Sequence, residues 1–291
     1  MSDKRLFKAR GHAFVLGART WVMGILNVTP DSFSDGGIYV DPDAALARAL
    51  SMAAQGADIL DIGGESTRPG HRPISADEEA ERVIPILRRV CGETGLPVSI
   101  DTSKASVARE AILAGACIIN DVRAARADPD IARVAAETGA GLILMYNATP
   151  LPEGSVDPDP SWADEPRLMD RIVRYLTDSM RRAVRDGVGA DHIAVDPGIG
   201  FGVNPAESCE ILRRLSALAS TEAPILIGPS RKSFIGAALG LPVEERLMGT
   251  AAAVAVGIAN GADFVRVHDV RDMVRVARMT DAIVREGTGH G

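Results

Sequence analysis

Eight short runs rich in β-branched and other apolar residues recur along the chain: WVMGILNV, ADILDIG, PVSID, ACIIND, GLILMYN, HIAVD, APILIG and ADFVRVH. Between most of them the apolar residues fall at helical spacing, as at Leu46, Leu50 and Ala53 or at Ile172, Leu176, Met180 and Ala183, which strand alternation would not produce. Strand and helix therefore alternate. Helix boundaries agree: Asp41-Pro42 puts a capping acid before a first-turn proline, Ser75 with Glu78 and Asn204 with Glu207 read as capping boxes, and Gly56 closes a helix. Eight parallel strands with crossover helices predict an α/β fold of the (β/α)8 TIM-barrel type rather than a doubly wound sheet, which usually has fewer strands and needs a switch point. There is no linker, internal repeat or second core. The reading is a single-domain barrel over residues 21–291, with residues 1–20 as a hairpin capping the barrel bottom. Residues 147–166 are too rich in Pro, Asp and Gly for regular structure and read as a surface loop rather than a lid.

Composition narrows the function. With 46% hydrophobic and 24% charged residues, the 291-residue chain is an ordinary globular protein with a large aliphatic core. A net charge of −7 disfavours nucleic acid or an anionic membrane as partner, so an anionic substrate must meet local cations. Cys91, Cys117 and Cys209 are odd in number and widely spaced, which supports neither a disulfide framework nor a CxxC metal site. The N-terminus lacks a signal-like apolar block, and the longest small-apolar run, 251–259, is half the length of a membrane span. A cytoplasmic location is expected.

In such a barrel, side chains at the C-terminal strand ends converge on one face and carry the chemistry. Here those ends supply Asn27, Asp61, Asp101, Asn120, Met145, Asp196, the turn Ser230-Arg231-Lys232-Ser233, and Arg266 with His268. A single acid or amide at a strand end more often caps the next helix. For Asp61, which precedes Gly63-Gly64, the structural reading is preferred: it holds a turn. The group is more persuasive than any member. Arg266 and His268 lie in an apolar strand, where cations need a counter-charge. An anion is the economical partner, and a salt bridge to Asp61 or Asp269 is the alternative. GPSRKS lacks the second glycine of a P-loop, GIGFG is not GxGxxG, and no HExxH is present. A magnesium ion carried in by phosphates remains compatible with so few ligands.

Several blocks together resemble a known family, the dihydropteroate synthases. Asn27-Val-Thr-Pro-Asp-Ser-Phe-Ser-Asp-Gly-Gly37 resembles its first signature and Asp61-Ile-Gly-Gly-Glu-Ser-Thr-Arg-Pro-Gly70 its second, followed in family order by SIDTSK, IIND, DPGIGFG, SRKSFIG and RVHD. The resemblance implies a homodimeric transferase of folate biosynthesis. It would join 6-hydroxymethyl-7,8-dihydropterin diphosphate to p-aminobenzoate, release pyrophosphate, and be a target of sulfonamides. It further implies that Asp101, Asn120, Met145, Asp196 and Lys232 line a pterin pocket, and that Asn27, Arg266 and His268 hold the diphosphate, Asn27 through Mg2+. By the same resemblance Thr67, Arg68, Pro69, Phe201 and Ser233 form the p-aminobenzoate pocket, and Asp101, Lys232, Arg266 and His268 are the catalytic set. The segments around Gly36-Gly37 and Gly63-Gly64 would be paired active-site loops, with glycines supplying freedom to close. Two positions depart from the family pattern: Tyr146 stands where many members have His, and Val203 where many have Lys. A corrinoid methyltransferase barrel should lack SRKSF and the paired loops, and a non-catalytic barrel should have lost Asn27, Lys232, Arg266 and His268.

Overall fold

The computed structural model describes residues 5–29, 41–66, 73–152, 155, 157 and 159–285. An antiparallel hairpin comes first, β1 (Leu6–Ala9) with β2 (His12–Val15). Eight parallel strands follow: β3 (Trp21–Asn27), β4 (Ile59–Gly63), β5 (Val98–Asp101), β6 (Ile118–Asp121), β7 (Gly141–Met145), β8 (Ile193–Asp196), β9 (Leu226–Ile227) and β10 (Phe264–Val267). Their spatial order is β8-β7-β6-β5-β4-β3-β10-β9. Val195 of β8 bridges Ile225, just ahead of β9, so the sheet closes on itself. The expected single-domain (β/α)8 barrel is what forms.

The intervening helices are α1 (Pro42–Ala54), α2 (Ala76–Thr94), α3 (Ala105–Ala114), α4 (Asp130–Thr138), α5 (Leu168–Arg185), α6 (Pro205–Arg213), α7 (Ser233–Leu239), α8 (Leu247–Ala259) and α9 (Val270–Val284). Local chemistry starts three of them where the spacing predicts. Asp41 accepts from the Asp43 N–H at 2.9 Å and Ser75 Oγ from the Glu78 N–H at 3.1 Å. Asn204 and Glu207 make the full reciprocal box, at 2.9 and 2.7 Å. Within 147–166 the chain does find structure: a 3-10 segment at Pro160–Asp164 seats Trp162 edge-on against Tyr146 and Tyr175. Arg126, its side chain fully buried over the Tyr175 ring, pairs with Asp157 and so pins this loop to the barrel wall.

Strand periodicity divides the core in two. Outward-facing residues such as Val22, Leu60, Ile100, Ile119, Leu142, Val195, Ile227 and Val265 join the helix faces in one large aliphatic layer. Inward-facing Met23, Ile59, Ile118, Ile143, Ala194, Leu226 and Phe264 form a second cluster with the hairpin residues Phe7, Phe14 and Leu16. Phe7 and Phe14 meet the Phe264 ring edge-on at 5.6 and 5.9 Å between centroids. A Cβ on Gly141, at the start of β7, would lie 2.7 Å from Phe7, so this glycine is required for the hairpin to sit at the N-terminal end of the strands. The interior is thus filled with apolar side chains at that end, and polar groups are confined to the other.

Candidate active site

Moving two residues along a strand keeps a side chain on the same face. That step carries each apolar floor residue to the site: Ile59 to Asp61, Ile118 to Asn120, Ile143 to Met145, Ala194 to Asp196 and Phe264 to Arg266. Strand register brings these together, with Asp101 beside Asn120, Met145 beside Asp196, and Asp61 beside Ser99. Asn27 ends β3 in register with Gly63.

Arg266 is the hub. Its Nε donates to Asp61 Oδ2 and its Nη2 to Asp101 Oδ2, both at 2.6 Å. Asn120 Nδ2 donates to the same Asp61 oxygen at 3.2 Å. Asp61 Oδ1 and Ser99 Oγ are buried with no hydrogen-bond partner among the described residues, so those residues do not by themselves saturate this polar layer. Burial sets the protonation. It pushes the Asp101 carboxyl up, against the opposing pull of Arg266, with Asp61 adding to the upward push. It raises Asp196 to about 6, although the Gly198 N–H donates to its Oδ1 at 2.7 Å and Lys232 and Arg266 favour the anion. Burial with Arg266 nearby lowers Lys232 to about 8, offset by Asp196 and Asp101. For Arg266 the two acids outweigh desolvation and the guanidinium stays charged.

The loop after β9 supplies the other cation. Lys232 Nζ lies 3.8 Å from the centre of the Phe201 ring, and a Cβ on Gly200, a left-handed position (φ 79°), would press on the Lys232 stem at 3.2 Å. Ser233 is exposed at the first position of α7. Ser230 Oγ is 3.0 Å from His268 Nδ1, and Arg231 forks onto Asp269 at 2.9 and 2.6 Å.

The mouth therefore gathers Asp101, Asn120, Met145, Asp196, Lys232 and Arg266, with His268, Phe201, Asn27 and Ser233 contributed by adjoining strand ends and loops. Thr67, Arg68, Pro69 and the Gly36-Gly37 segment lie outside the described residues. Several expectations change. Asp61 holds no turn: it is a central, fully buried partner of Arg266, which takes the salt-bridge alternative rather than standing ready for an anion alone. Gly64 is demanded by space, since its Cβ would lie 2.5 Å from Val83, and neither Gly63 nor Gly64 has positive φ. Lys104 pairs with Glu65 and the buried Glu79, and Arg82 donates to the Gly64 carbonyl at 3.1 Å, so the chain is clamped through Glu65. Tyr146 faces away from the mouth, 1% exposed, with Tyr175 5.0 Å from its ring, and Val203 packs on the outer core. Neither departure is among the side chains that the described residues bring to the mouth. Asp121, adjacent to Asn120, points the other way and accepts from Ser103, Arg123 and Ala125 at 2.6–2.8 Å, shaping the loop after β6.

Comparisons with known proteins agree with this geometry. A family profile described as pterin binding enzyme matches residues 23–268. The chain is 47% identical over 272 residues to a dihydropteroate synthase of Bacillus subtilis, covering 94% of this chain and 91% of that one. Among solved structures it superposes on a Clostridium difficile dihydropteroate synthase crystallised in the presence of pteroic acid, with TM-score 0.85, 45% identity and coverage of 94% and 100%. A Xanthomonas albilineans dihydropteroate synthase with 4-aminobenzoic acid gives TM-score 0.86 and 37% identity, covering 96% and 98%.

The ion-pair hub makes one prediction about the folded state. Asp61→Ala is expected to cost about 3 kcal/mol of unfolding free energy in a urea titration. That is the low end of the range for breaking a buried pair, because Asp101 still holds the guanidinium. A loss below about 1 kcal/mol would show that Arg266 does not depend on Asp61.

Proposed function

The chain belongs to the pterin-binding enzyme family, and from that premise we propose that it is a transferase of folate biosynthesis with dihydropteroate synthase activity. It condenses 6-hydroxymethyl-7,8-dihydropterin diphosphate with p-aminobenzoate to give 7,8-dihydropteroate and pyrophosphate. The observation that carries this is the near full-length match to synthases of that activity, on a barrel whose mouth holds the matching polar set. In the reaction the pterin methylene carbon loses its C–O bond to diphosphate and gains a C–N bond to the arylamine, which gives up a proton.

The site chemistry suits that step. Asp196 keeps Oδ2 for the heterocycle's ring and exocyclic N–H groups, since Oδ1 is taken by Gly198. Asn120, with its amide N–H engaged by Asp61, presents a carbonyl oxygen. Asp101, Met145 and Lys232 complete the pterin pocket, and the carboxylates favour positive charge developing on the methylene. Arg266 and His268 take the diphosphate end. Phe201 and Ser233, flanking Lys232, are assigned to p-aminobenzoate together with Thr67, Arg68 and Pro69.

Magnesium fits as a visitor rather than a resident. Among the described residues no cluster of three His, Cys, Asp or Glu side chains could hold a metal. Asn27 offers one hard amide oxygen at the mouth, which suits an ion that arrives on phosphate oxygens and keeps its waters. Asn27 would hold it, and the ion would neutralise charge on the departing pyrophosphate.

A second copy is the partner assigned to α8. This helix is apolar almost all round, and its outward positions Met248, Ala252, Val256 and Ala259 are exposed. A continuous apolar face of that kind is covered most economically by its own symmetry mate, giving a homodimer. No helix among the described residues is long and apolar enough to cross a membrane. A cytoplasmic location is proposed for the chain.

Four outcomes are expected. Purified protein with Mg2+, the dihydropterin diphosphate and p-aminobenzoate should yield dihydropteroate, inhibited by a sulfonamide in competition with p-aminobenzoate. In the same assay Asp101→Ala and Lys232→Ala should each lower turnover by at least ~10²-fold while remaining folded; wild-type rates would remove those roles. The kcat/KM profile should be bell-shaped. Asp196 works as the anion, so activity falls as pH drops through about 6. Lys232 works as the cation, so activity falls as pH rises through about 8. Asp196→Asn should remove the inflection near 6 and leave the raised Asp101 carboxyl as the remaining acid-side group, and an unchanged profile would reassign it. Finally, light scattering should give a dimer mass that Val256→Glu converts to monomer.

A further inference from the structure

Lys232 reaches the mouth by way of a strained turn. Its N–H donates to the Pro229 carbonyl at 3.2 Å, which closes the turn with Arg231 in left-handed backbone at φ 58°. A non-glycine residue persists there only where its neighbours hold the peptide. Two residues one helical turn apart do so. Thr250 Oγ1, fully buried, accepts the Arg231 N–H at 3.0 Å, and Arg246 Nη1 donates to the Arg231 carbonyl at 3.1 Å. The Thr250 hydroxyl donates its own proton to the Arg246 carbonyl at 2.9 Å, which ties the pair together.

Arg246, the residue before α8, makes further bonds of the same kind. Nη1 also reaches the Lys232 carbonyl at 3.5 Å, and Nε donates to the Leu241 carbonyl at 3.1 Å. One guanidinium therefore holds the chain on both sides of α7, at the turn ahead of it and at Leu241 behind it. The two helices are shaped to admit it. A Cβ on Gly236, in α7, would lie 2.3 Å from Arg246 Nη2 and 2.7 Å from Nε, and one on Gly249, in α8, would lie 2.2 Å from Ile235 Cγ2. Any side chain at Gly236 would push the guanidinium out. Carbonyls at separate places need donors in fixed directions, which a planar guanidinium supplies and an ammonium does not. The far end of Lys232 is held as well, its stem against Gly200 and its Nζ over Phe201. The ammonium is thus fixed from both ends, with Arg266, Asp196 and Asp101 as the charged groups that act on it.

We infer that Arg246 is a positioning residue that fixes the Lys232 ammonium in the mouth, acting through the Arg231–Lys232 backbone and not through its charge. This rests on the reading of Lys232 as a working cation of the pterin pocket, and the test separates the two.

The measurement is the rate at which acetic anhydride acetylates the Lys232 amine across pH, read by peptide mass spectrometry on the full chain, beside steady-state kinetics. Circular dichroism checks the fold of each variant. In the wild type, burial with Arg266 nearby lowers the amine to about 8, offset by Asp196 and Asp101. Arg246→Ala, Arg246→Lys and Gly236→Ala should each move that midpoint up towards the ordinary lysine range, because a freed side chain regains water and leaves Arg266. The basic limb of the kcat/KM profile should move with it. In all three, kcat/KM for the dihydropterin diphosphate should fall on the order of tenfold, less than on removing Lys232, since the ammonium is loosened and not lost. Arg246→Lys and Gly236→Ala keep a cation nearby, so a shift in Arg246→Ala alone would mark a charge effect and overturn the inference. An unmoved midpoint in Gly236→Ala overturns it too, and that chain should fold, because the added methyl meets the movable end of a side chain. If the midpoint moves in all three while Lys232→Ala keeps wild-type turnover, the positioning by Arg246 stands and the catalytic role of Lys232 falls.

Discussion

One guanidinium organises the interior of this barrel. Arg266 bridges Asp61 and Asp101, which lie on separate strands and are distant from it in the chain, and its charge offsets the cost of burying them. The local ledger is also uneven. Among the described residues Asp61, Asp101 and Asp196 face Arg266 and Lys232, so with these five groups ionised they carry one excess negative charge. Burial answers by lifting Asp101 and Asp196 and lowering the lysine, which places Asp196 and Lys232 on either side of neutrality. A ring that gains positive charge as its anionic tail departs is the ligand this imbalance suits best.

The site can tolerate such strain because stability is secured elsewhere. Strand alternation sends one set of residues outward to the helices and the other inward, and the inward set is apolar at the hairpin end. Phe7, Phe14 and Phe264 fill that end, so the polar layer rests on a packed floor rather than on water. Charged groups then cost desolvation only over the last turn of each strand, where substrate can share it.

Much of this was legible in the sequence. Eight apolar runs, helical spacing between them and capping signals specify the barrel, and polarity at strand ends marks the mouth. Asp61 was misread because its partner is 205 residues away, and a carboxylate before two glycines has the local look of a turn. The glycines themselves were misread for a similar reason: sequence suggests freedom, whereas the position of Val83 shows that Gly64 is there for close approach. Parity resolves one of the two departures from the family pattern. Met145 faces in, so the next residue, Tyr146, must face out, where Trp162 and Tyr175 receive it. A loop that composition marks as irregular is pinned by a buried arginine, again a long-range partner invisible to local reading.

At the seam of the barrel, fold and function compete for the same residues. β9 contributes two residues to the sheet and joins β8 through one bridge at Val195 and Ile225, the weakest junction in the ring. A longer β9 would strengthen closure, but its backbone would then run straight through the positions that Ser230, Arg231 and Lys232 occupy. The chain instead turns out at Arg231, in left-handed backbone with φ 58°, a conformation that costs a non-glycine residue energy. Arg231 offsets that cost through its fork to Asp269, and Ser230 extends the strand register through a hydroxyl. Side chains thus replace the missing ladder, leaving Lys232 at the mouth while the ring stays closed.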